Sequence, residues 1–248
     1  MQIASDSGTA EYDDPFIRWR LDPAAIERVH RHGEAVLVEQ RLDRHGDPVT
    51  GPTLLCIGPV DDLAPLVDDA VHRIGEVPHQ ISIEHHAAHL LPTAWQWAQR
   101  RVWDWMWTTQ PPAPVPGEDS VVPLAGAGLS EADAVLDAAN PDSHGRPGGS
   151  DVQRWLGVRD TDGALVATGG MFVLPTGISH LRGITTLPAA RGRGIGTALS
   201  ARLTRLGLGR GGGVCTLGAY TANTRAIEIY RRLGFRHAHT FSSGTFAR

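Results

Sequence analysis

Between Gln110 and Asp119 the chain reads Gln-Pro-Pro-Ala-Pro-Val-Pro-Gly-Glu-Asp, with four prolines inside residues 111–116. Proline has no N–H to give a ladder, and its ring blocks helix propagation, so no regular element can run through this segment. A chain of 248 residues is long for one core and comfortable for two. The run therefore reads as a linker over 111–119, between an N-terminal α/β domain over 1–110 and a second domain over 120–248. A second loose stretch, 140–150, follows a helical pattern over 130–139 and reads as a loop inside the second domain.

Composition removes several classes of function. With 41% hydrophobic and 20% charged residues the chain is neither disordered nor membrane-spanning; its apolar runs fall well short of the roughly 20 residues a span requires. The first residues carry neither a basic segment nor an apolar one, so no secretion signal is read and a cytoplasmic location is expected. Cys56 and Cys215 are the only cysteines, which excludes a disulfide framework and a thiolate zinc site. All 23 basic residues are arginine, beside 29 glycines, the coding bias of a GC-rich genome and hence of a bacterium. Residues 1–150 carry 10 arginines against 23 acids, and residues 151–248 carry 13 against four. The resulting -13 and +9 make the whole a poor non-specific nucleic-acid binder. No nucleic-acid or membrane partner is expected, and a small phosphorylated ligand fits the basic part better. Oligomeric state is not legible.

In the first domain the patterns predict strands at 35–40, 53–57 and 81–84 and an amphipathic helix over 61–74. Trp103, Trp105 and Trp107 alternate with Asp104 and Met106, placing three indoles on one strand face, either against a helix or as a ligand-facing wall. His85 and His89 share a face if their segment is an α-helix. The H-E-x-x-H order is missing, so zinc hydrolase chemistry is unsupported and no metal is expected.

The second domain begins with a meander of strands at 154–159, 164–174 and 178–187, the first two joined by a turn through Asp160 and Gly163. Then come Arg191-Gly192-Arg193-Gly194-Ile195-Gly196-Thr197 and a helical run with Leu199, Leu203 and Leu206 on one face. Glycines let backbone N–H groups approach an anion, and a helix N-terminus adds about half a positive charge. Arg191 and Arg193 add formal charge, so the segment is built to cradle a pyrophosphate. A P-loop needs Gly-Lys-Ser/Thr, and there is no lysine. The dinucleotide fingerprint needs G-x-G-x-x-G and an acid about 20 residues on. Here the glycines are spaced by two, and no acid lies between Asp162 and Glu228.

The arrangement that remains, Arg-x-x-Gly-x-Gly at Arg191, Gly194 and Gly196 after an antiparallel strand, resembles the acyl-CoA signature of the GNAT superfamily of N-acetyltransferases. Downstream, a strand at 214–217 leads to Asn223-Thr224-Arg225-Ala226-Ile227-Glu228-Ile229-Tyr230-Arg231-Arg232-Leu233-Gly234-Phe235. This looks like the second hallmark, in which Asn opens a short helix, Tyr lies two turns later and Leu-Gly-Phe closes it. Locally the same residues read as an N-cap, a core face through Ala226, Ile227 and Tyr230, and a glycine C-cap. The resemblance covers about 120–248. The element order of 1–110 faintly resembles a degenerate half of the same kind without its cradle.

The resemblance implies an α/β (α+β) fold, a mixed, mostly antiparallel sheet flanked by helices, with acetyl-CoA as co-substrate and no metal. It implies an acyltransferase moving acetyl from acetyl-CoA to a primary amine by direct attack in a ternary complex, or a domain that binds acyl-CoA as a sensor without catalysis. Ile184, Thr185 and Thr186 look like the segment that holds the pantetheine and polarises the thioester carbonyl. Gly192, Arg193, Gly194, Ile195, Gly196 and Thr197, with Arg191, would wrap the pyrophosphate. Asn223 matches the cofactor-contacting Asn, and Tyr230 matches the general acid for the departing thiolate. Many members carry a Glu at the start of the third strand or five residues before the Asn. Here His180 and Gly218 stand there, so His180 is the candidate base.

Overall fold

In the computed structural model the described residues are 4–5, 13–42, 48–149, 152–210 and 212–247. In chain order the elements are β1 (Ala4–Ser5), α1 (Pro15–Arg20), β2 (Ile26–His32), β3 (Ala35–Leu42), β4 (Pro48–Ile57), α2 (Val60–Ile74), β5 (Gln80–Glu84) and β6 (Trp97–Thr108). They continue with β7 (Val121–Leu124), α3 (Ala127–Ala139), β8 (Val152–Arg159), β9 (Leu165–Val173), β10 (Ser179–Thr186), α4 (Ile195–Gly209), β11 (Cys215–Tyr220), α5 (Thr224–Arg232) and β12 (Arg236–Phe246). By contacts the chain forms two units, one of Met1–Trp105, Tyr220–Ala222 and Ala238–Arg248, the other of Met106–Ala219 and Asn223–His237. The change of unit thus falls inside β6, and β12 carries the chain back. The proline run belongs to the second unit, where Val115 N–H donates to Glu118 Oε1 at 2.7 Å and Glu118 pairs with Arg205 of α4 at 2.9 Å.

In the first unit β2, β3 and β4 are antiparallel neighbours, β5 lies parallel to β4, and β12 is antiparallel to β5. Helix α2 forms where Asp61 and Asp62 favour its first turn, His72 and Arg73 its last, and Gly75 closes it with φ 67. Its apolar face, Leu63, Leu66, Val67 and Ala70, is buried with Leu37, Leu54, Cys56, Ile81 and Ile83 from the strands. Helix α1 is capped by Asp14, whose side chain accepts from the N–H groups of Phe16 and Ile17. Phe16 packs on Trp105 at 5.3 Å and Phe241 at 4.8 Å between ring centroids. Of the alternatives for the indoles, Trp103 and Trp105 therefore form a sheet face under a helix; Trp107 lies in the other unit under Arg236 at 5.3 Å.

The segment His85–Leu90 is a 3-10 turn. At three residues per turn His85 and His89 do not share a side: His85 Nδ1 is 2.9 Å from Ser242 Oγ, and His89 Nδ1 is 2.9 Å from the His86 carbonyl.

In the second unit the strand order is β11-β10-β9-β8-β7. The pairs from β7 through β10 are antiparallel, and β10 and β11 are parallel. Central strand β9 is buried from Leu165 to Phe172, as a strand covered on both faces must be. One face meets α4 and α5 through Met171, Leu181, Leu199, Leu203, Leu217, Tyr230 and Leu233. The other meets α3 through Trp155, Leu165, Phe172, Val135 and Leu136. The first unit runs through the same order of three antiparallel strands, a helix and a strand parallel to the third.

Candidate active site

The ladder between β10 and β11 contains only Ser179–Cys215, His180–Thr216 and Leu181–Leu217, although β10 runs on to Thr186 and β11 to Tyr220. Beyond Leu181 the two strands part. The cause lies in β10, whose register against β9 shifts between Arg182 and Thr185. Gly183 sits at that bulge with φ 64, a conformation glycine adopts without steric cost. A Cβ there would lie 2.8 Å from Trp155 Cη2, so the bulge is also a close packing point. A bulge bends its strand, and here it frees the backbone of Ile184–Thr186 from β11.

At the end of β10 the chain passes through Arg191–Gly194, all exposed, into the half-buried first turn of α4. Gly192 and Gly194 have φ 83 and 80, and no side chain caps α4. The first intrahelical bond here is from Ala198 N–H to the Gly194 carbonyl, so the preceding N–H groups are the orphan donors of a helix start. Arg191 Nε donates to the Thr186 carbonyl at 3.0 Å, tying the turn to the strand. A Cβ on Gly196 would stand 3.4 Å from Thr186 Oγ1. Glycines, orphan donors and arginine together fit a pyrophosphate, and Thr186, at the far end of the part of β10 that is free of β11, touches this turn.

Asn223 caps α5, its side chain accepting from Ala226 N–H at 3.3 Å, and is exposed. Two turns on, Tyr230 is 8% exposed and packs edge-on to Phe235 at 6.0 Å. Burial pushes its phenol up to about 12, so it stays protonated at any physiological pH. On the opposite face of β10, His180 is buried with Nδ1 2.8 Å from Thr216 Oγ1. Thr216 donates its one hydroxyl proton to the Ser179 carbonyl at 3.1 Å. It must therefore accept from His180, which puts a proton on Nδ1.

Some neighbours of these residues were not singled out from the sequence. Asn140, which ends α3, donates to Thr185 Oγ1 at 3.2 Å. Arg225 brings Nη2 to 4.0 Å from the Cβ position of Gly192; its signal was a cation in the first turn of α5, where the helix dipole disfavours one. Arg182 lies over the Phe172 ring at 5.0 Å. Among the described residues no group of three or more His, Cys, Asp or Glu is placed to hold a metal ion. No helix among them is long and apolar enough to cross a membrane.

A sequence profile described as the acetyltransferase (GNAT) family matches residues 90–235. Among solved structures, the chain is similar to a GNAT-family protein from Novosphingobium aromaticivorans, with TM-score 0.55 and 23% identity over 86% of this chain and 89% of that one. It is also similar to a GCN5-related N-acetyltransferase from Kribbella flavida, with TM-score 0.52 and 18% identity over 94% and 91%. A third, from Sphaerobacter thermophilus, has TM-score 0.53 and 19% identity over 85% and 79%. Among curated proteins none matches the sequence.

Proposed function

Since this chain belongs to the acetyltransferase (GNAT) family, we propose that it transfers acetyl from acetyl-CoA to a primary amine, in a ternary complex without a covalent enzyme intermediate. The observation that carries this is the parting of β10 and β11 after Leu181–Leu217, beside the glycine-rich start of α4. Gly192–Thr197 with Arg191 and Arg193 would take the pyrophosphate through backbone N–H groups and charge. Arg225 is added to that set, and Asn223 borders it. The unpaired backbone of Ile184–Thr186 would hold the pantetheine amides and polarise the thioester carbonyl.

Starting from an ammonium, the chemistry moves three protons: one off nitrogen before attack, a second off nitrogen once it is bonded to the acetyl carbon, and one on to the departing sulfur. An alkyl amine arrives as ammonium, with a reference pKa near 10, and must lose a proton before its nitrogen bonds to the acetyl carbon. His180 Nε2 is assigned that proton, with Thr216 fixing the tautomer from behind. As the carbon–sulfur bond breaks, the Tyr230 hydroxyl donates to sulfur, while the nitrogen's second proton leaves to solvent, from which the phenolate is reprotonated. Phe172, paired with His180, belongs to the face that meets α3, whereas Tyr230 belongs to the cluster on the α4 and α5 face. The proposed base and acid would thus approach from the two faces of the sheet.

Calorimetric titration with acetyl-CoA, with NAD as control ligand and Gly194→Glu as blocked cradle, tests the reading. Micromolar binding of acetyl-CoA alone, lost in the variant, supports it; no binding to the unaltered protein refutes it. Binding without turnover on any amine would favour the sensor instead, which the lack of a carboxylate at positions 180 and 218 permits.

A further inference from the structure

We infer that Asn140 is a positioning residue for acyl transfer: through the Thr185 hydroxyl it fixes the stretch of β10 whose backbone would polarise the thioester carbonyl. The inference rests on the acyl-transfer reading above and concerns the same site. Past Leu181 that stretch has lost β11, and its register against β9 is broken between Arg182 and Thr185. Pairing to β9 resumes with Thr185–Thr168 and Thr186–Ala167. Leu187 N–H is spent on the Val166 carbonyl at 2.9 Å, so by strand alternation the backbone polar groups of Thr186 point away from β9. The Thr186 carbonyl accepts from Arg191 at 3.0 Å, as that orientation requires, and the Thr186 N–H is directed into the gap. That N–H belongs to the planar peptide group joining Thr185 to Thr186, so whatever holds Thr185 aims the donor.

Support for this stretch comes from the end of α3. Pro141 disfavours helical backbone at the residue before it, and Asn140 leaves α3 with φ -157 and ψ 60. Its N–H donates to the Leu136 carbonyl at 2.7 Å, and its carbonyl accepts from Ser143 N–H at 3.0 Å. Leu136 is buried with Trp155 and Phe172, so this backbone is anchored on the sheet. From there Asn140 Nδ2 reaches Thr185 Oγ1 at 3.2 Å, and Thr185 is 5% exposed. A hydroxyl donates as well as accepts, so the contact holds for either orientation of the amide. The loop that follows lies on the bulge itself. A Cβ on Gly183 would stand 3.2 Å from the Gly145 carbonyl oxygen and 3.4 Å from Ser143 Oγ, and one on Gly145 would stand 2.6 Å from Arg182 Cβ. Arg146 fastens that loop to Asp133 at 2.9 Å, to Asp137 at 2.7 Å and to the Pro141 carbonyl at 2.8 Å.

Packing holds the bulge by shape, whereas the Asn140–Thr185 contact is directional and sets the tilt of the peptide group that follows. A developing oxyanion is stabilised by donors already aimed at it, and a small misplacement costs about tenfold to a hundredfold in rate. Pyrophosphate and pantetheine, by contrast, are held at several points and tolerate it. Loss of Asn140 should therefore weaken polarisation of the carbonyl and spare cofactor affinity.

Isotope-edited infrared spectra of bound acetyl-CoA, labelled at its carbonyl carbon, read this directly and need no acceptor. Hydrogen bonding to a carbonyl lowers its stretching frequency, so the bound thioester should absorb below the free one. Asn140→Ala should lose most of that shift, while the calorimetric Kd for acetyl-CoA changes by less than about twofold. Thr185→Val removes the other end of the contact and keeps the peptide groups. It should lose the shift likewise, and the double variant should lose no more than either single one. A tie that merely secured α3 would move the urea midpoint and leave the carbonyl band in place. A band unchanged in the single variants, losses that add in the double variant, or a band unshifted in the natural protein overturns the inference while leaving acetyl-CoA binding in place. Failure to bind acetyl-CoA overturns the parent reading, and the inference with it.

Discussion

His239 offers the sharpest test of the reasoning about the first unit. Its Nδ1 is 2.6 Å from Glu84 Oε1, and its Nε2 is 2.9 Å from Asp14 Oδ2 in an ion pair. Burial of the ring opposes its charge, but the contacts to Asp14 and Glu84 outweigh burial and drive the imidazole from 6.5 up to about 9. A pKa raised on folding stabilises the fold fully below the unfolded value and progressively less as pH rises through the folded one. The interaction should contribute about 3 kcal/mol at pH 6, about 2 kcal/mol near pH 7.5 and almost nothing above pH 9.5. Replacing the ring by His239→Gln leaves two carboxylates facing each other, a penalty constant over this range. Urea midpoints followed by tryptophan fluorescence, from pH 6 to 9.5, should therefore show the gap between natural and variant protein narrowing by about 3 kcal/mol as pH rises. Asp14→Asn keeps the cap on Phe16 and Ile17 but removes one charge, and should lose part of that slope. A gap independent of pH would refute the assignment of a charged His239.

Tyr230→Phe should lower kcat by about a hundredfold to a thousandfold with acetyl-CoA affinity unchanged by calorimetry, and an unaltered kcat would remove the phenol from proton donation. Because that phenol is raised to about 12, activity should show no alkaline loss from it between pH 8 and 10, and a descending limb there abolished by Tyr230→Phe would contradict its burial. Gly183→Ala forces a side chain into φ 64 and against Trp155; it should cost about 1–3 kcal/mol in urea unfolding, and a neutral result would mean the bulge is not under steric constraint. Burial raises Cys56 to about 12 and also raises Cys215, so an aromatic disulfide reagent should modify neither in the native protein and both after unfolding.

What was legible in the sequence follows from how local each signal is. Helix α2 was expected over 61–74 and runs Val60–Ile74, because amphipathic spacing, acidic start, basic end and closing glycine agree. The meander and the glycine turn were legible for the same reason. The six-residue α1 and strand β12 were missed, since neither carries a period of its own. Helix α1 is held by an Asp14 cap and one Phe16 packed into distant rings, and β12 by pairing with β5 far away in the chain. In the site, the cradle glycines were legible because positive φ demands glycine there. The parting of the strands is implied by the family resemblance and carries no local signal of its own. It depends on Gly183 and on which residues of β9 face β10, and a lone glycine in a strand does not announce a bulge.

The two units show how few local changes separate a scaffold from a site. In the first, β4 and β5 stay paired through Thr53–Gln80, Leu54–Ile81, Leu55–Ser82 and Cys56–Ile83. Helix α2 then opens behind Pro59, with Asp61 and Asp62 in its first turn. Asp62 Oδ2 accepts from Glu34 N–H at 2.9 Å, and a side chain on Gly33 would collide with that carboxylate. Two carboxylates at a helix start satisfy the dipole internally and repel a phosphate. In the second unit the equivalent helix opens on Gly194 with arginines before it, and the strand carries a bulge that ends the ladder after three pairs. Substituting Asp61 and Asp62 by glycine would therefore leave the first unit unable to hold the same ligand, because β4 and β5 would still be closed. Opening the ladder and emptying the helix start are both required, and only the second unit has both.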